Sequence, residues 1–595
     1  MSQGCIRVRR HRTGGAHGGS NHVANNGNSP KKRSYTHENH RYQEGSDHEE
    51  TGKLLPMGCR GHVSSGEEEL RDRSRASARR SSSIKRRTPL WFWCGVVFFS
   101  GAVSCQTTTQ NDAASQPLVL TIGFPEAGAA GAELGLGQLL NVFTQEGLTQ
   151  VNLGVDGRAV PRLAEGWSWE AGGLRLRLRL RGDVVFHDGT KLTASVAAEA
   201  LKRAIERPAN RALYPSLSDI IDVRPDTDLE LVVELSRPSA LLPEELDFPL
   251  GTGPDNVGTG AFRLVRQDSD GAVLERFDRY YLGAPRIRQI VIKPFDTLRT
   301  TWTSLLRSEV DMSTDVPPEA LEFVQSDDIQ TISFPRNYQF LIAFNSRKPP
   351  FTSALVRRAL NSAVDRNRLI ASVLRNGGQP ATGPLWPQHW AYDASVQPYG
   401  FDPRGALSLL ESAGFRLSAA TGSLPPARLR FVCLLADNFS LQERIGLEVQ
   451  KQLYDVGVDM QFEVVPIEEY NLRIRSGQFD AVLMDSISGP TFGRPFIFWR
   501  SAREFKGLNM FGYENPDAER LFQILRTSTN EAAVRSAVSR LQRTLLEDPP
   551  ALFLVWNQRT RAVSRRFRIE NSGRDPLFTI WQWTENTDRQ PLSTQ

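Results

Sequence analysis

Residues 160–205 constrain the fold more than any other part of this 595-residue chain. Leucine alternates with arginine over residues 174–180, and this period of two predicts a half-buried β-strand. Gly172 and Gly173 precede the strand and predict a tight turn. Residues 166–182 are therefore interpreted as a two-stranded hairpin.

A turn and a helix complete this segment. Residues 186–190 read FHDGT, in which aspartate and glycine tolerate the backbone conformations of a turn. Thr193 is the predicted N-cap of an amphipathic helix over residues 194–205. We interpret His187 and Asp188 as turn-forming residues rather than as catalytic groups.

As a string, LAEGWSW, LRLRLRGDVVFHDGTKLTA and VAAEALKRAI resemble the signature segment of the extracytoplasmic solute-binding proteins of peptide- and nickel-type ABC importers, family 5. The resemblance extends from about residue 118 to residue 567. It includes a Gly-Thr-Gly-x-Phe string at residues 258–262 and a helix predicted over residues 356–370, in which Asp365 and Arg366 form a structural helix-end pair. It implies an α/β protein with the two-lobed periplasmic-binding-protein fold. This fold has an extra small domain, mixed sheets flanked by helices and a cleft between the lobes.

The domain organisation follows from the resemblance and from composition. A chain of this length exceeds what one hydrophobic core usually organises. The predicted segments are a polar and basic extension (1–89), a signal h-region with a lipobox-like site (90–105), a flexible tether (106–117), lobe I (118–335) with an inserted small domain (about 161–255), lobe II (336–555), and a return to lobe I with a C-terminal tail (556–595).

The charge distribution separates the leader from the body. Residues 1–105 carry 18 Lys and Arg against 9 Asp and Glu, whereas the remainder carries 54 against 58. The body is therefore mildly acidic, and its charge balance gives no indication of a nucleic-acid partner. Cys433 lies in an apolar strand and is predicted to be a buried core residue that forms no disulfide with Cys105.

The leader has the pattern of an export signal. A basic stretch at residues 79–87 precedes an apolar stretch at residues 90–103, which is short for a membrane span and typical of a secretory signal. Residues 102–105 (AVSC) look like a lipobox, so Cys105 is the predicted lipidation site. An ordinary signal peptide or a short anchor helix is the alternative. Because a long polar extension before a signal is unusual, we expect the true start downstream, at Met57 or nearer residue 79.

The resemblance also implies ligand-contacting positions. In that family the residues after the first strand and an aromatic loop, here around Trp386, face the ligand, and ligands gather at the carboxyl ends of sheet strands, here residues 485–494. Asp485 would pair with the α-ammonium of a peptide, whereas Arg494 would instead bind a carboxylate or remain solvated. The predicted ligand-binding residues are Phe124, Glu126, Tyr338, Trp386, Asp485, Ser486, Phe492, Arg494 and Trp499.

The predicted function is that of a receptor outside the cytoplasmic membrane, lipid-anchored or free. It would close two lobes around a peptide or peptide-like solute and present it to the permease of an ABC importer. No cofactor is predicted. A carrier of nickel or haem chelates and a sensor without transport are the alternatives. An enzyme is disfavoured, because His187 and His389 are the sole histidines after Cys105 and no Gly-x-Ser-x-Gly or His-Glu-x-x-His motif occurs.

Overall fold

The computed structural model describes residues 117–587, apart from residues 128–134, 154, 254–256, 398, 421, 423–424, 438, 489–490, 502–508 and 571–572. The predicted extension, export signal, lipidation site at Cys105 and nearly all of the tether lie outside the described residues. The described residues therefore belong to the predicted lobes and to the small domain.

The strands of the first part of the described chain occur in groups, and those from residue 289 to residue 564 are separated by helices. They run over Val119–Ala127 (β1), Thr149–Val151 (β2), Ala159–Pro161 (β3), Ala164–Glu170 (β4), Arg175–Leu180 (β5), Ile220–Pro225 (β6), Glu230–Leu235 (β7), Phe262–Asp268 (β8), Gly271–Arg276 (β9), Gln289–Thr297 (β10), Met312–Ser313 (β11), Ile329–Phe344 (β12), Gly378–Pro380 (β13), Leu429–Ala436 (β14), Val458–Val465 (β15), Ala481–Ile487 (β16), Ala551–Ser564 (β17), Phe567–Arg568 (β18) and Thr584–Glu585 (β19).

The α-helices vary from one turn to more than four turns. They run over Leu136–Thr144 (α1), Ala194–Glu206 (α2), Pro208–Leu213 (α3), Leu242–Glu245 (α4), Leu298–Leu306 (α5), Leu321–Val324 (α6), Ala354–Ser362 (α7), Arg366–Val373 (α8), Pro403–Ser412 (α9), Ser440–Asp455 (α10), Ile467–Ser476 (α11), Gly493–Trp499 (α12), Pro516–Thr527 (α13) and Glu531–Glu547 (α14). A 3₁₀ helix at Pro576–Gln582 follows the last long strand.

Of the described strands, eleven form one mixed sheet in the spatial order β15-β14-β16-β12-β17-β11-β1-β10-β9-β8, with β13 paired to β17 outside this path. β1 runs parallel to β10 and β11, and β14 runs parallel to β15 and β16. The long strands β12 and β17 pair antiparallel in the middle. The predicted α/β class, with mixed sheets flanked by helices, is confirmed.

Strands β12 and β17, called here the crossing strands, connect the two halves of this sheet. We use lobe I for the half with β1 and β8–β11, and lobe II for the half with β13–β16. The pairing of β12 with β17 shifts register between Pro335 and Gln339. Such an irregularity bends a strand and increases its twist. The bend therefore lies where the chain passes from one lobe to the other.

The crossing strands separate two faces of the sheet. The front face carries Leu341 and Trp386 in one hydrophobic cluster, and the back face carries Phe340 in another. In lobe I, α1 packs on the front and α5 on the back, with Leu139 and Leu305 in their respective cores. Each lobe is thus a sheet layer covered on both sides, as its apolar strands require.

The small domain contains a four-stranded antiparallel sheet in the order β4-β5-β7-β6, with α2 packed against it. The predicted hairpin and helix are confirmed, and Thr193 caps α2 by accepting a hydrogen bond from the N–H of Val196 at 3.3 Å. Leu176 and Leu178 are fully buried. Leu174 was predicted to share this pattern, but it precedes β5 and is 40% exposed because the turn before it extends further than expected.

The helix predicted over residues 356–370 is wrong as a single element, because the structure divides it into α7 and α8. The carboxylate of Asp365 starts α8 by accepting a hydrogen bond from the N–H of Arg368 at 3.0 Å. The buried guanidinium of Arg366 donates to the carbonyl of Phe553 at 2.8 Å. The structural role predicted for the Asp365–Arg366 pair is therefore confirmed, although the pair begins a new helix.

Close backbone contacts explain the glycines of the Gly-Thr-Gly string. A Cβ atom on Gly258 would lie 1.9 Å from the carbonyl oxygen of Thr144, and one on Gly260 would lie 2.3 Å from that of Phe143. No larger residue fits either position without moving the end of α1. The predicted burial of Cys433 is also confirmed, and its thiol is free.

Candidate functional site

The crossing strands form the floor of a crevice between the lobes on the front face. Lobe I contributes α1 and the segment around Arg574 and Leu577, and lobe II contributes Trp386. The enclosed volume is about 220 Å³. The residues of the crossing strands that line it are Phe334, Pro335, Arg336, Arg559 and Arg561.

A second cavity, of about 380 Å³, continues this crevice towards the small domain. The two cavities have a common wall in lobe I, formed by Gln138, Val142, Leu577 and Phe578. The second cavity is further lined by Arg162, Tyr214 and Asp247. We refer to the two cavities together as the front crevice. Its combined space is in the range that small-molecule sites occupy.

The polar groups of the second cavity are largely fixed by one another. The guanidinium of Arg162 lies 2.6 Å from the carboxylate of Glu146, which also accepts hydrogen bonds from the hydroxyls of Tyr280 and Tyr281 at 3.0 and 3.1 Å. Burial raises the pKa of Asp247 to about 7, although a hydrogen bond from the N–H of Val151 acts in the opposite direction. These groups are therefore rigid and sparsely solvated.

Three of the predicted ligand-binding aromatics belong to one cluster on the front face of lobe II. Trp386, Phe492 and Trp499 are each 3% exposed. Trp386 lines the front crevice, whereas Phe492 lines a separate cavity of about 220 Å³ between the small domain and lobe II. Trp499 stacks on Phe511 at 5.5 Å between ring centroids, inside the cluster. The structure thus brings the three together but places only Trp386 on the front crevice.

The residues predicted from lobe I and from the crossing strands lie elsewhere. Phe124 is 5% exposed in the front core of lobe I, packed in the cluster that contains α1. Glu126 lies within β1, and its side chain is outside the described part of the structure. Tyr338 is 8% exposed beside the register shift, and the guanidinium of Arg336 lies 4.0 Å from its ring centroid.

Asp485 and Ser486 are neighbours in β16 and therefore point to opposite faces of the sheet. The carboxylate of Asp485 accepts a hydrogen bond from the amide of Gln442, in α10 on the back face, at 3.3 Å. Ser486 pairs with Gln339, whose side-chain amide donates to the hydroxyl of Ser488. The predicted pair is therefore divided between the back and the front of the sheet.

Arg494 connects lobe II to the small domain. It is the second residue of α12, and its guanidinium lies 5.7 Å from the ring centroid of Tyr214. Tyr214 lines the second cavity, and Arg494 contacts this ring without lining the cavity itself. A guanidinium over an aromatic face is a stabilising contact that still leaves its edge available for hydrogen bonds.

Several arginines around the front crevice were not predicted as site residues. Arg561 is 1% exposed and donates two hydrogen bonds to the carboxylate of Asp575, at 2.6 and 2.5 Å. Arg559 is 6% exposed and lies 3.5 Å from Asp315. Their alternation in β17 puts both on the front face, and this was the signal available in the string RTR at residues 559–561.

A fully buried ion pair joins the small domain to lobe II. The guanidinium of Arg526 in α13 donates to the carboxylate of Asp219 at 2.6 Å, and both side chains are 1% exposed. Asp219 also accepts a hydrogen bond from Arg237 at 2.7 Å. A second pair, between Arg158 and Glu531 at 2.6 Å, lies at the surface.

Two carboxyl groups of α4 lie in the same interface. Burial raises the pKa of Glu244 and that of Glu245 to about 8. His389 accepts a hydrogen bond from the N–H of Ala391 through Nδ1, which assigns its proton to Nε2, and this Nε2 lies 4.0 Å from Glu244. Burial lowers the pKa of His389 to about 3, so its ring is neutral.

A sheet shared by two lobes, two crossing strands and a crevice lined by both lobes define a two-lobed binding protein. The chain belongs to the bacterial extracellular solute-binding proteins, family 5, because the sequence model of the middle region of that family matches residues 158–504. Members of this family are binding proteins that act outside the cytoplasm. The resemblance on which the sequence interpretation depended is confirmed.

Individual relatives cover most of the described chain. The oligopeptide-binding protein AppA of Bacillus subtilis is 22% identical over 71% of this chain and 82% of its own length. The glutathione-binding protein GsiB of Pectobacterium atrosepticum is 24% identical over 71% of this chain and 85% of its own length. The crystal structure of NikA from Brucella suis with Fe(III)-EDTA is 20% identical, has a TM-score of 0.69 and covers 79% of this chain and 100% of that one. The two-lobed periplasmic-binding-protein fold is thereby confirmed.

Neither a membrane-spanning helix nor a metal site is found among the described residues. None of the helices found there has the length and apolar character needed to cross a bilayer. Across the same residues, no three His, Cys, Asp or Glu side chains come together in a way that would hold a metal ion.

Proposed function

We propose that this protein is the substrate-binding receptor of an ABC importer. It captures a peptide or peptide-like solute between its lobes and delivers it unaltered to a membrane permease. The observation that carries the proposal is the front crevice, to which both lobes and both crossing strands contribute. Relatives named as oligopeptide-binding and glutathione-binding proteins support a peptide-like solute.

The geometry supports capture by hinge closure. Each crossing strand runs from one lobe into the other. The register shift near Gln339 interrupts the regular pairing of these two strands. Rotation about a few residues in such strands opens and closes a cleft without repacking either core. A solute in the front crevice would touch lobe I through α1 and lobe II through Trp386, so its contacts are completed only on closure.

The predicted contacts remain part of this proposal. Trp386 would provide an apolar wall, and Ser486 and Arg494 would provide polar contacts from lobe II. Phe124, Phe492 and Trp499 would support the walls from behind, since each is nearly fully buried. Glu126 and Tyr338 are proposed as further contacts of the solute, whereas Asp485 faces the back of the sheet and would not touch a solute in the front crevice.

Binding of peptides would test the function directly. We expect a pool of tri- to pentapeptides at 100 times its dissociation constant to stabilise the purified protein by about 2.7 kcal/mol in thermal unfolding. We expect Trp386→Ala to abolish this effect, since it removes a wall of the crevice. Trp302→Ala changes the same residue type in a back-face cavity of about 920 Å³ that also has walls from both lobes, so loss of peptide binding in this variant alone would move the proposed site to that cavity.

The alternative is a metal chelate, and the same assay includes Fe(III)-EDTA and nickel with L-histidine. Stabilisation by a chelate and not by peptides would replace the proposed solute. Native mass spectrometry of the protein as purified would identify any solute that it retains. A receptor that binds peptides but does not restore uptake with any permease of its host would be a sensor.

We also propose that residues 90–105 are an export signal and that Cys105 is lipidated, with residues 106–117 as the tether. We expect the wild-type protein in the membrane fraction of a bacterial host and Cys105→Ala in the soluble envelope fraction, because the variant lacks the acylated residue. Mass spectrometry of the mature N-terminus is the second measurement. An unmodified N-terminus at another residue would indicate an ordinary signal peptide, and an uncleaved chain would indicate an anchor helix.

A further inference from the structure

A further cavity between the lobes lies on the back face of the crossing strands, next to α5 and α10. It encloses about 920 Å³ and is larger than either cavity of the front crevice. This volume is at the upper end of the range that small-molecule sites occupy. We refer to it as the back cavity. Capture of a solute on the front face leaves this space without a role.

Apolar side chains line the back cavity from both lobes. Trp302 and Phe323 belong to lobe I, whereas Leu374, Phe439 and Leu441 belong to lobe II. The side chain of Phe323 is 62% exposed, so a large apolar surface at this cavity is in contact with water. An apolar molecule that covered these side chains would release that water, which is favourable.

Most charged side chains of the back cavity already have partners. Three of its five arginines lie within 3.5 Å of a carboxylate, in the pairs Arg444–Glu319, Arg375–Glu322 and Arg559–Asp315. The guanidinium of Arg336 lies 4.0 Å from the ring centroid of Tyr338, and Arg299 is exposed. A charged ligand would have to replace an existing partner or bind an exposed group, whereas an uncharged apolar ligand would not.

The crossing strands separate the back cavity from the front crevice. Arg336 and Arg559 line both spaces. Because the lobes rotate about these strands, a rotation that narrows the space on one face widens the space on the other. The crevice beside Trp386 encloses about 220 Å³, against about 920 Å³ behind the same strands. Filling the back cavity would therefore stabilise the arrangement of the lobes in which the front is narrow.

We propose that the back cavity is a second ligand site, which binds an uncharged and largely apolar molecule. This molecule packs between Trp302 and Phe323 of lobe I and the apolar side chains of lobe II. Because it contacts both lobes, it raises the affinity of the front crevice for the solute, and the solute raises its affinity by the same factor. The coupling rests on the proposed function, whereas the site itself does not.

A pair of fluorescent dyes tests the chemistry of the site. N-phenylnaphthylamine is uncharged, and anilinonaphthalenesulfonate is the same ring system with a sulfonate group. We expect the full-length protein to bind the uncharged dye saturably and about tenfold more tightly than the sulfonate, because most arginines of the cavity are already paired. Binding of the sulfonate as tightly as the uncharged dye, or no saturable binding of the uncharged dye, would overturn the proposal.

Substitutions in the walls test the location of the dye. Leu441→Glu puts a charge among the apolar side chains, at a position in the first turn of α10 that suits a carboxylate. We expect it to weaken binding of N-phenylnaphthylamine about tenfold, and Phe323→Ser to weaken it about threefold. Leu472→Glu makes the matched change at an exposed position of α11, away from the cavity, and should bind the dye normally. Normal binding by both wall variants would overturn the site.

Peptides distinguish the back cavity from the front crevice. With the peptide pool at saturation, we expect the wild type to bind the dye about fivefold more tightly, and Trp386→Ala to bind the dye without this increase. Displacement of the dye by peptides would place both in one cavity and overturn the second site. An unchanged affinity for the dye while peptides are bound would overturn the coupling alone. If no peptide binds, the proposed function fails, and the wall variants still decide whether the back cavity holds the dye.

Discussion

Asp219→Asn is expected to lower the free energy of unfolding by about 3 kcal/mol. The substitution keeps the shape of the side chain but removes the charge that compensates Arg526, which is 1% exposed. The remaining described hydrogen bond of Arg526 goes to the carbonyl oxygen of Pro215 at 3.3 Å, and its Nε atom is buried without a partner. Chemical denaturation of the wild type and the variant in parallel measures the loss.

Removing the arginine of this pair should lower the free energy of unfolding less than removing the charge of the aspartate. Arg526→Met leaves Asp219 with its hydrogen bond from Arg237, whose side chain is half exposed. We expect a loss at least 1 kcal/mol smaller than that of Asp219→Asn, because the stranded charge keeps a cationic partner. A double-mutant cycle then gives the coupling of the pair.

The surface pair of the same interface is the matched control. Arg158 and Glu531 also join the two parts of the molecule at 2.6 Å, but their side chains are 37% and 58% exposed. Glu531→Gln should therefore cost less than about 1 kcal/mol. If Asp219→Asn and Glu531→Gln destabilise equally, the buried pair contributes no more than an exposed one.

The fold could be predicted largely because its signals are local. The alternation in β5, the cap at Thr193 and the turn at residues 186–190 each depend on neighbouring residues. The error at Leu174 arose at the end of an element, where the turn competes with the strand for the same residue. The division of the predicted helix at Asp365 is of the same kind, since a side-chain cap there outweighed continued helical periodicity.

The site was harder to predict because it depends on register between distant strands. Whether Asp485 or Ser486 faces the front is set by the pairing of β16 with β12, about 150 residues away in sequence. Arg559 and Arg561 have the pattern of a solvated strand end. They are buried because β17 lies in the middle of an eleven-stranded sheet, and this position is not encoded near them in the sequence.

The interface between the small domain and lobe II buries charged groups beside apolar side chains such as Leu241 and Phe492. It contains the pair of Asp219 and Arg526 and the two carboxyl groups of α4, where a hydrophobic interface would hold the parts together permanently. Charged groups regain water when such an interface opens, so opening costs less than for apolar surfaces of equal area. This composition suits an interface that a binding cycle must break and form again.

Raising the pH from 6.5 to 8 is therefore expected to lower the free energy of unfolding by about 2 to 4 kcal/mol. In the folded protein, the pKa values of Glu244 and Glu245 are about 8, against 4.5 ordinarily. Over this range the folded state retains protons that the unfolded chain has released, so each group lowers stability by roughly 1.4 kcal/mol per pH unit. Asp247, whose pKa burial raises to about 7, adds to this loss, whereas the lowered pKa values of His187 and His389 offset part of it, because unfolded histidines still release protons just above pH 6.5.

Nearby arginines limit the rise in the pKa of these two carboxyl groups, and two substitutions test the predicted pH dependence of stability. Arg494 and Arg526 lower the pKa of Glu245, and Arg158 lowers that of Glu244, but burial outweighs them in each case. Glu245→Gln should reduce the slope of stability against pH by about one proton, because the amide does not titrate and can still accept the hydrogen bond from the N–H of Ser216. Glu531→Gln should leave the slope unchanged, since the pKa of Glu531 is lowered by Arg158 and the group is ionised throughout this range. A wild-type stability that rises between pH 6.5 and 8, or an unchanged slope in Glu245→Gln, would show that these carboxyls are ionised in the folded protein and that the interface admits water.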